Sequence, residues 1–171
     1  MNKILILFSL TILSTHSHSQ EIIQGPFLIR YGITYQQKTN APVTGVVVSF
    51  RENGQLRSKE NHRDGKRHGL SERYHENGQL ARKGTYKDGE IDGFSESFYD
   101  NGQLKHKGTV KDGRAVGLAE GYHENGQLSY KDNYKDGKKH GLSEVYYDNG
   151  QLSFKGCFKN DDYIDMSYCE K

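Results

Sequence analysis

The sequence has no tryptophan, two prolines and two cysteines in 171 residues. So little proline, with no Gly-X-Y period, excludes a collagen-like chain and a Pro-rich disordered one. Charge of one sign is missing too: 24 basic residues face 22 acidic ones, and a net charge of +2 gives no global field that would select nucleic acid or membrane. Mean hydropathy is low, which is poor material for a thick, dry core in a chain of this size. After the first twenty residues no segment is apolar enough to span a bilayer. What the chain does have is glycine, 20 residues, and tyrosine, 12 residues. That composition suits tight turns joining short strands.

The start reads as a targeting segment. Lys3 is a short basic head, Ile4 to Leu13 is an apolar run interrupted by Ser9 and Thr11, and Ser17-His18-Ser19 offers a small-x-small cleavage site. Ten helical residues reach only about 15 Å, roughly half a bilayer core. We therefore expect a signal peptide over residues 1–19, cleavage after Ser19, and a mature protein that is periplasmic, envelope-associated or secreted. No cysteine stands at the cleavage site, which disfavours a lipoprotein.

A 24-residue repeat dominates the rest. Asn-Gly-Gln-Leu begins at Asn53, Asn77, Asn101, Asn125 and Asn149, and Asp-Gly at Asp64, Asp88, Asp112 and Asp136. In phase with them run Gly45, Gly69, Gly93, Gly117 and Gly141, the aromatics Phe50, Tyr74, Phe98, Tyr122 and Tyr146, and the lysines Lys59, Lys83, Lys107, Lys131 and Lys155. Asn-Gly and Asp-Gly between short alternating runs are strong hairpin signals. Two turns per unit leave two strands of about six to eight residues each. The expected fold is all-β, an elongated antiparallel meander of stacked hairpins in a single twisted sheet. Helix is disfavoured by glycines every few residues.

Register decides what each face presents. If Glu76-Asn77-Gly78 is a three-residue loop with its glycine left-handed, Tyr74 lies opposite Leu80 and Leu70 opposite Gly84. One face then collects the aromatic column, the leucines Leu56, Leu80, Leu104, Leu128 and Leu152, and Tyr86, Val110, Tyr134 and Phe158. The lysine column, with Lys87, Lys111, Lys135 and Lys159, falls on the other. A two-residue Asn-Gly turn would instead set Glu72 against Lys83 and scatter the apolar residues. The first register is preferred because it builds one continuous apolar face. Two strands advance about 10 Å, so five units make a sheet of roughly 50 Å, whose stability is close to a sum of neighbour terms and whose ends need caps. Residues 20–43 read as an N-terminal strand and cap, 44–160 as the repeat domain, and 161–171 as a C-terminal cap or tail, where Asp161 and Asp165 replace glycines.

The unit Tyr-x-Glu/Asp-Asn-Gly-Gln-Leu-x-x-Lys-Gly-x-Tyr-Lys-Asp-Gly-x-x-x-Gly resembles the variant MORN repeat, common in bacterial proteins labelled YwqK-type antitoxin components. The resemblance runs from about Val43 to Lys159. It implies a hairpin stack with a binding role and no catalytic motif, and an export signal here would fit an immunity protein rather than a cytoplasmic antitoxin.

The residues themselves offer little chemistry. His68 and His140 hold one repeat position about 30 Å apart, and His75 and His123 stand about 20 Å apart, too far to share an ion bound at about 2 Å. Columns of Glu72, Glu96, Glu120 and Glu144 step by about 10 Å and do not place a carboxylate pair around one bond. Each candidate recurs in near-identical surroundings, whereas an active site needs an asymmetric pocket. We expect no catalytic residue, no cofactor and no metal. Cys157 and Cys169 are a candidate disulfide that would pin the tail onto the last strand, two free thiols being the alternative. The candidate binding residues are Tyr74, Phe98, Tyr122 and Tyr146 on the aromatic face and Lys59, Lys83, Lys107, Lys131 and Lys155 on the lysine face. A long open apolar face is unusual unless something docks on it, which favours a protein partner. The lysine face has two readings, a solvated outer surface or a site for anionic lipid or polymer. Self-association through the apolar faces is a further option.

Overall fold

Every Asn-Gly and Asp-Gly pair of the repeat becomes a hairpin turn. A computed structural model of the chain describes residues 22–23, 27–30, 33–37 and 39–170; the expected signal peptide and its cleavage site lie outside them. The first strands are β1 (Ile22–Ile23), β2 (Phe27–Arg30), β3 (Ile33–Gln36) and β4 (Gly45–Phe50). The repeats supply β5 (Leu56–Arg63), β6 (Lys66–Tyr74), β7 (Leu80–Lys87), β8 (Glu90–Phe98) and β9 (Leu104–Lys111). They continue with β10 (Arg114–Tyr122), β11 (Leu128–Lys135), β12 (Lys138–Tyr146) and β13 (Leu152–Lys159), followed by β14 (Asp162–Ile164) and a 3-10 turn, Met166–Tyr168. From β4 to β14 each strand pairs antiparallel with the next, and β1 joins β4 in parallel. The result is an open, unclosed meander.

The two turn types do different work. At Asp88-Gly89 both residues are left-handed, φ 52° and 100°, which sets Lys87 opposite Glu90 in a two-residue hairpin. At the other rim Glu76-Asn77-Gly78 is a three-residue loop closed by His75 N–H on Gln79 O at 2.8 Å, with Gly78 at φ 85°. The Asn77 carboxamide explains its own recurrence. Its oxygen accepts from Gln79 N–H at 3.0 Å, and its nitrogen donates to Asp100 O of the next hairpin. Asn101 and Asn125 do the same toward Glu124 and Asp148. The residue after each aromatic adds a second staple: Arg51 to Tyr74 O, His75 to Phe98 O, Tyr99 to Tyr122 O and His123 to Tyr146 O, at 2.8 to 3.0 Å. Each hairpin is thus tied to the next along one rim, the nearest-neighbour coupling expected of a repeat stack.

The facing of the strands departs from expectation. Tyr74 does lie opposite Leu80, but the next pair is Arg73 and Arg82, so Ala81 is an extra residue and the rest of β7 changes face. Leu70 consequently faces Thr85, not Gly84, and Glu72 faces Lys83. Arg57, Lys105, Ser129 and Ser153 are inserted identically. The lysine column therefore stands on the aromatic face, and Tyr86, Tyr134 and Phe158 stand on the opposite one. A one-residue bulge is enough, because side chains alternate with a period of two. A second irregularity gives β8 three residues, Asp92 to Phe94, where β7 has only Thr85. Gly93 sits in that bulge at φ 125°, a conformation open to glycine and to few other residues.

Packing follows from these registers. On one face Val47, Glu60, Ser71, Gly84, Ser95 and Gly108 follow one another across successive strands. Ala119, Asp132, Ser143 and Gly156 carry the row to β13. Ser71, Ala119, Asp132 and Ser143 of this row are buried, so the middle of the sheet is lined by small side chains instead of a conventional apolar core. The ends are closed differently. Val43, Val46 and Val47 are buried at the N-terminal end, where the β2–β3 hairpin bonds the first Asp-Gly turn through Thr34 N–H to Gly65 O at 2.8 Å. At the C-terminal end Asp161 takes a left-handed turn position at φ 76°. Cys157 and Cys169 are disulfide-bonded, Cα atoms 6.0 Å apart, with Cys157 fully buried.

Candidate binding surface

The aromatic and lysine columns form one surface, here termed the ladder face. Across it run Lys59, Glu72, Lys83, Glu96, Lys107, Glu120, Lys131, Glu144 and Lys155, each directly opposite the next. Opposite charges in register are mutually favourable. Lys83 meets Glu96 at 2.9 Å, Lys107 meets Glu120 at 2.6 Å and Lys155 meets Glu144 at 3.6 Å. Tyrosine hydroxyls complete the row: Tyr74 donates to Glu72, Tyr122 to Glu120 and Tyr146 to Glu144, at 2.9 to 3.0 Å. Phe98 has no hydroxyl, and there the Lys83 ammonium lies 5.9 Å from the ring centre.

The electrostatics follow from these contacts. The Lys107 hydrogen bond holds the Glu120 carboxyl below its ordinary value, against a raising effect of burial and with help from Tyr122. The same pair raises Lys107. Burial and then Glu72 push the Tyr74 hydroxyl up, and Glu144 does so for Tyr146. Because the folded carboxyl is depressed, the Glu120 contribution is complete above 4.5 and is lost as pH falls through the lowered value. Lys107 is well exposed, so the pair contributes less than about 1 kcal/mol. Glu120→Gln is expected to melt slightly earlier than wild type at pH 7 and to converge with it as melts are run at progressively lower pH.

Apolar stripes flank the ladder. Leu70, Phe94 and Leu118 are 41%, 41% and 42% exposed, although each is two residues from a ladder glutamate on its own strand. Toward the Asn-Gly rim, Tyr74–Leu80, Phe98–Leu104, Tyr122–Leu128 and Tyr146–Leu152 form a second stripe. The ladder face is thus a charge-compensated strip between two apolar ones, with the tail disulfide at the end of the Leu70 stripe beside Leu142.

The opposite face is less uniform. Ser49, Ser58, Arg73, Arg82, Ser97, His106, Gly121, Tyr130, Val145 and Phe154 line up across it. It is cationic at one end and aromatic at the other, where Phe154, Phe158 and Tyr163 pack with ring centres 5.7 to 6.4 Å apart. His106 bonds the Tyr130 hydroxyl at 2.5 Å. Gly121 lies between them in the row, and a Cβ there would come within 2.0 Å of the Tyr130 ring. The arginines on this face went unremarked in the sequence; the signal for them was departure from the repeat, since Arg73 and Arg82 give way to Ser97 and His106 one unit later.

Histidines act locally. His75 and His123 cap carbonyls, His62 contacts Glu60 at 3.3 Å, and His68 contacts Asp88 at 3.5 Å. Among the described residues no three His, Cys, Asp or Glu side chains meet as a metal site.

The family model described as "MORN repeat variant" matches residues 43–64, 67–88, 92–112, 115–136 and 139–160. No curated protein matches the chain.

Proposed function

The chain belongs to the MORN repeat variant family, whose repeats are generally binding or scaffold modules, and from that premise we propose that it is an exported, non-catalytic scaffold that holds another protein on its ladder face. The observation that carries this reading is the stripe of Leu70, Phe94 and Leu118, about two-fifths exposed beside a neutralised charge row. An apolar strip edged by compensated charge suits a protein surface with complementary apolar and polar groups. An antitoxin or immunity component is one scaffold of this kind. Export is supported by the basic-apolar-small pattern of residues 1–19. It agrees also with a disulfide, which persists in oxidising compartments.

The alternative, attraction of the lysine column to anionic lipid or polymer, is weakened by its register. Glutamates are interleaved with the lysines strand by strand, so the row presents little field at a distance. Capture with residues 20–171 from an envelope extract, washed over a salt series, tests the two readings. A protein retained at high salt supports the scaffold. Lipid or polymer alone, released as salt rises, overturns it.

A further inference from the structure

Positions that differ from unit to unit are free of the constraint that makes the rest of the stack repeat, and the central row of the face opposite the ladder is such a set. Arg73 and Arg82 are direct cross-strand partners there, in positions held by Ser97 with His106, Gly121 with Tyr130, and Val145 with Phe154 in later units. Like charges directly opposite in a sheet are destabilising. Arg73 reaches Glu60 at 3.3 Å, but that carboxylate is also engaged by His62. Arg82 has no ion pair among the described residues, and its field reaches His106, which is held below its ordinary pKa by burial first and by Arg82 second.

A third guanidinium completes the cluster. Arg67 lies over the Tyr86 ring, 4.1 Å from its centre, and the three arginines line an open groove whose floor continues through Tyr86, Ile91 and Val110. Glu90 is the acidic side chain on its wall. Planar guanidinium forks bind carboxylates in two-point fashion. The apolar floor beside them would take a neighbouring aliphatic or aromatic side chain. A free phosphate would use the forks and leave the floor unoccupied, so the composition of the groove favours a peptide.

We infer that this groove is a recognition site for an acidic protein segment, one carboxylate seated between Arg73 and Arg82 and an adjacent apolar side chain resting on Tyr86, Ile91 and Val110. The inference rests on the scaffold reading and adds a second, chemically defined contact on the other side of the sheet. It places the acidic segment beside the second and third repeats, which carry the arginines and Val110, and not beside the aromatic C-terminal units.

The test uses residues 20–171 and a labelled octapeptide of alternating glutamate and leucine, read by fluorescence anisotropy at pH 8. The double variant R73S/R82H installs the Ser–His pair that the next repeat already carries, so the sheet accepts it. Wild type is expected to bind the peptide, and the double variant to bind it at least about tenfold more weakly. Lys138→Gln, which removes one positive charge at a distant turn opposite Lys135, should leave peptide binding unchanged. The double variant removes the like-charge pair and, with Arg73, its contact to Glu60, and an unchanged circular dichroism spectrum shows that it folds. Equal peptide binding by wild type and variant would overturn the site, as would equal binding of a glutamine-for-glutamate peptide, or no binding to wild type. Displacement by inorganic phosphate at concentrations equal to the peptide would overturn the peptide assignment. Retention of a salt-resistant protein partner alike by wild type and R73S/R82H would count against the groove while leaving the scaffold reading intact.

Discussion

Replacing Asp132 by alanine is expected to lower the stability of the protein by about 2–3 kcal/mol, read as a shift in the urea or thermal midpoint. Asp132 occupies the row that elsewhere holds Gly84, Gly108 and Gly156, and it is 4% exposed. Its carboxylate accepts from the buried Ser143 hydroxyl at 2.5 Å and meets Lys139 Nζ at 2.9 Å. Removal leaves a buried hydroxyl without its acceptor and an ammonium without its counter-charge. Lys139 is about one-third exposed, so water recovers part of its charge, and the loss falls below that of a fully buried pair. Asp132→Asn keeps an acceptor for Ser143 and should cost less. A change under about 0.5 kcal/mol in the alanine variant would show that the carboxylate contributes nothing beyond filling space.

Breaking the Cys157–Cys169 bond should cost a comparable amount. The bond spans 12 positions, and closing a loop of this size restricts the unfolded chain by about 2–3 kcal/mol. The effect should be local as well as global. β14 pairs with β13 only from Cys157 to Lys159, and the tail behind it is held by the disulfide, a short 3-10 turn and the Tyr168 ring against His140 and Lys159. Reduction, or Cys169→Ser, is expected to lower the melting temperature and to raise amide exchange over Asp162 to Tyr168 ahead of the interior hairpins, as neighbour-coupled repeats imply. Equal melting and exchange in reduced and oxidised protein would contradict this.

How far the sequence carried the structure depends on which interaction sets each feature. Turns were legible because Asn-Gly and Asp-Gly meet a backbone demand that few residues satisfy, and those demands recur at a fixed period. Hairpin order and the open meander follow directly from that period. The faces were not legible by the criterion of gathering apolar residues together. One inserted residue per unit reverses the second strand, and the inserted residues are Arg57, Ala81, Lys105, Ser129 and Ser153, which share no chemistry. A different criterion would have found the register. Glu72, Glu96, Glu120 and Glu144 run in phase with the lysine column, and placing each glutamate opposite a lysine behind a three-residue loop requires that extra residue. Charge pairing, not apolar clustering, tracks which side chains share a face in this polar sheet.

The same register reshapes the candidate surface. Tyr74, Phe98, Tyr122 and Tyr146 stand among Lys59, Lys83, Lys107, Lys131 and Lys155 rather than behind them, and the tyrosine hydroxyls are occupied by ladder glutamates. Exposed apolar surface comes also from Leu70, Phe94 and Leu118, whose columns carry no turn signature and no uniform residue type, while Phe50 and Leu152 at the two ends of the aromatic stripe are half exposed. The arginine groove was hidden for a related reason, because it exists only where the repeat fails to repeat.

The measurement that bears most directly on the scaffold reading is capture of a partner by residues 20–171 with and without F94E/L118E, two charges placed in the exposed stripe of the ladder face. The account predicts that wild type retains a protein through high salt and that the double variant, with an unchanged circular dichroism spectrum, loses it. Equal retention by both proteins would contradict the assignment of that face as the binding surface.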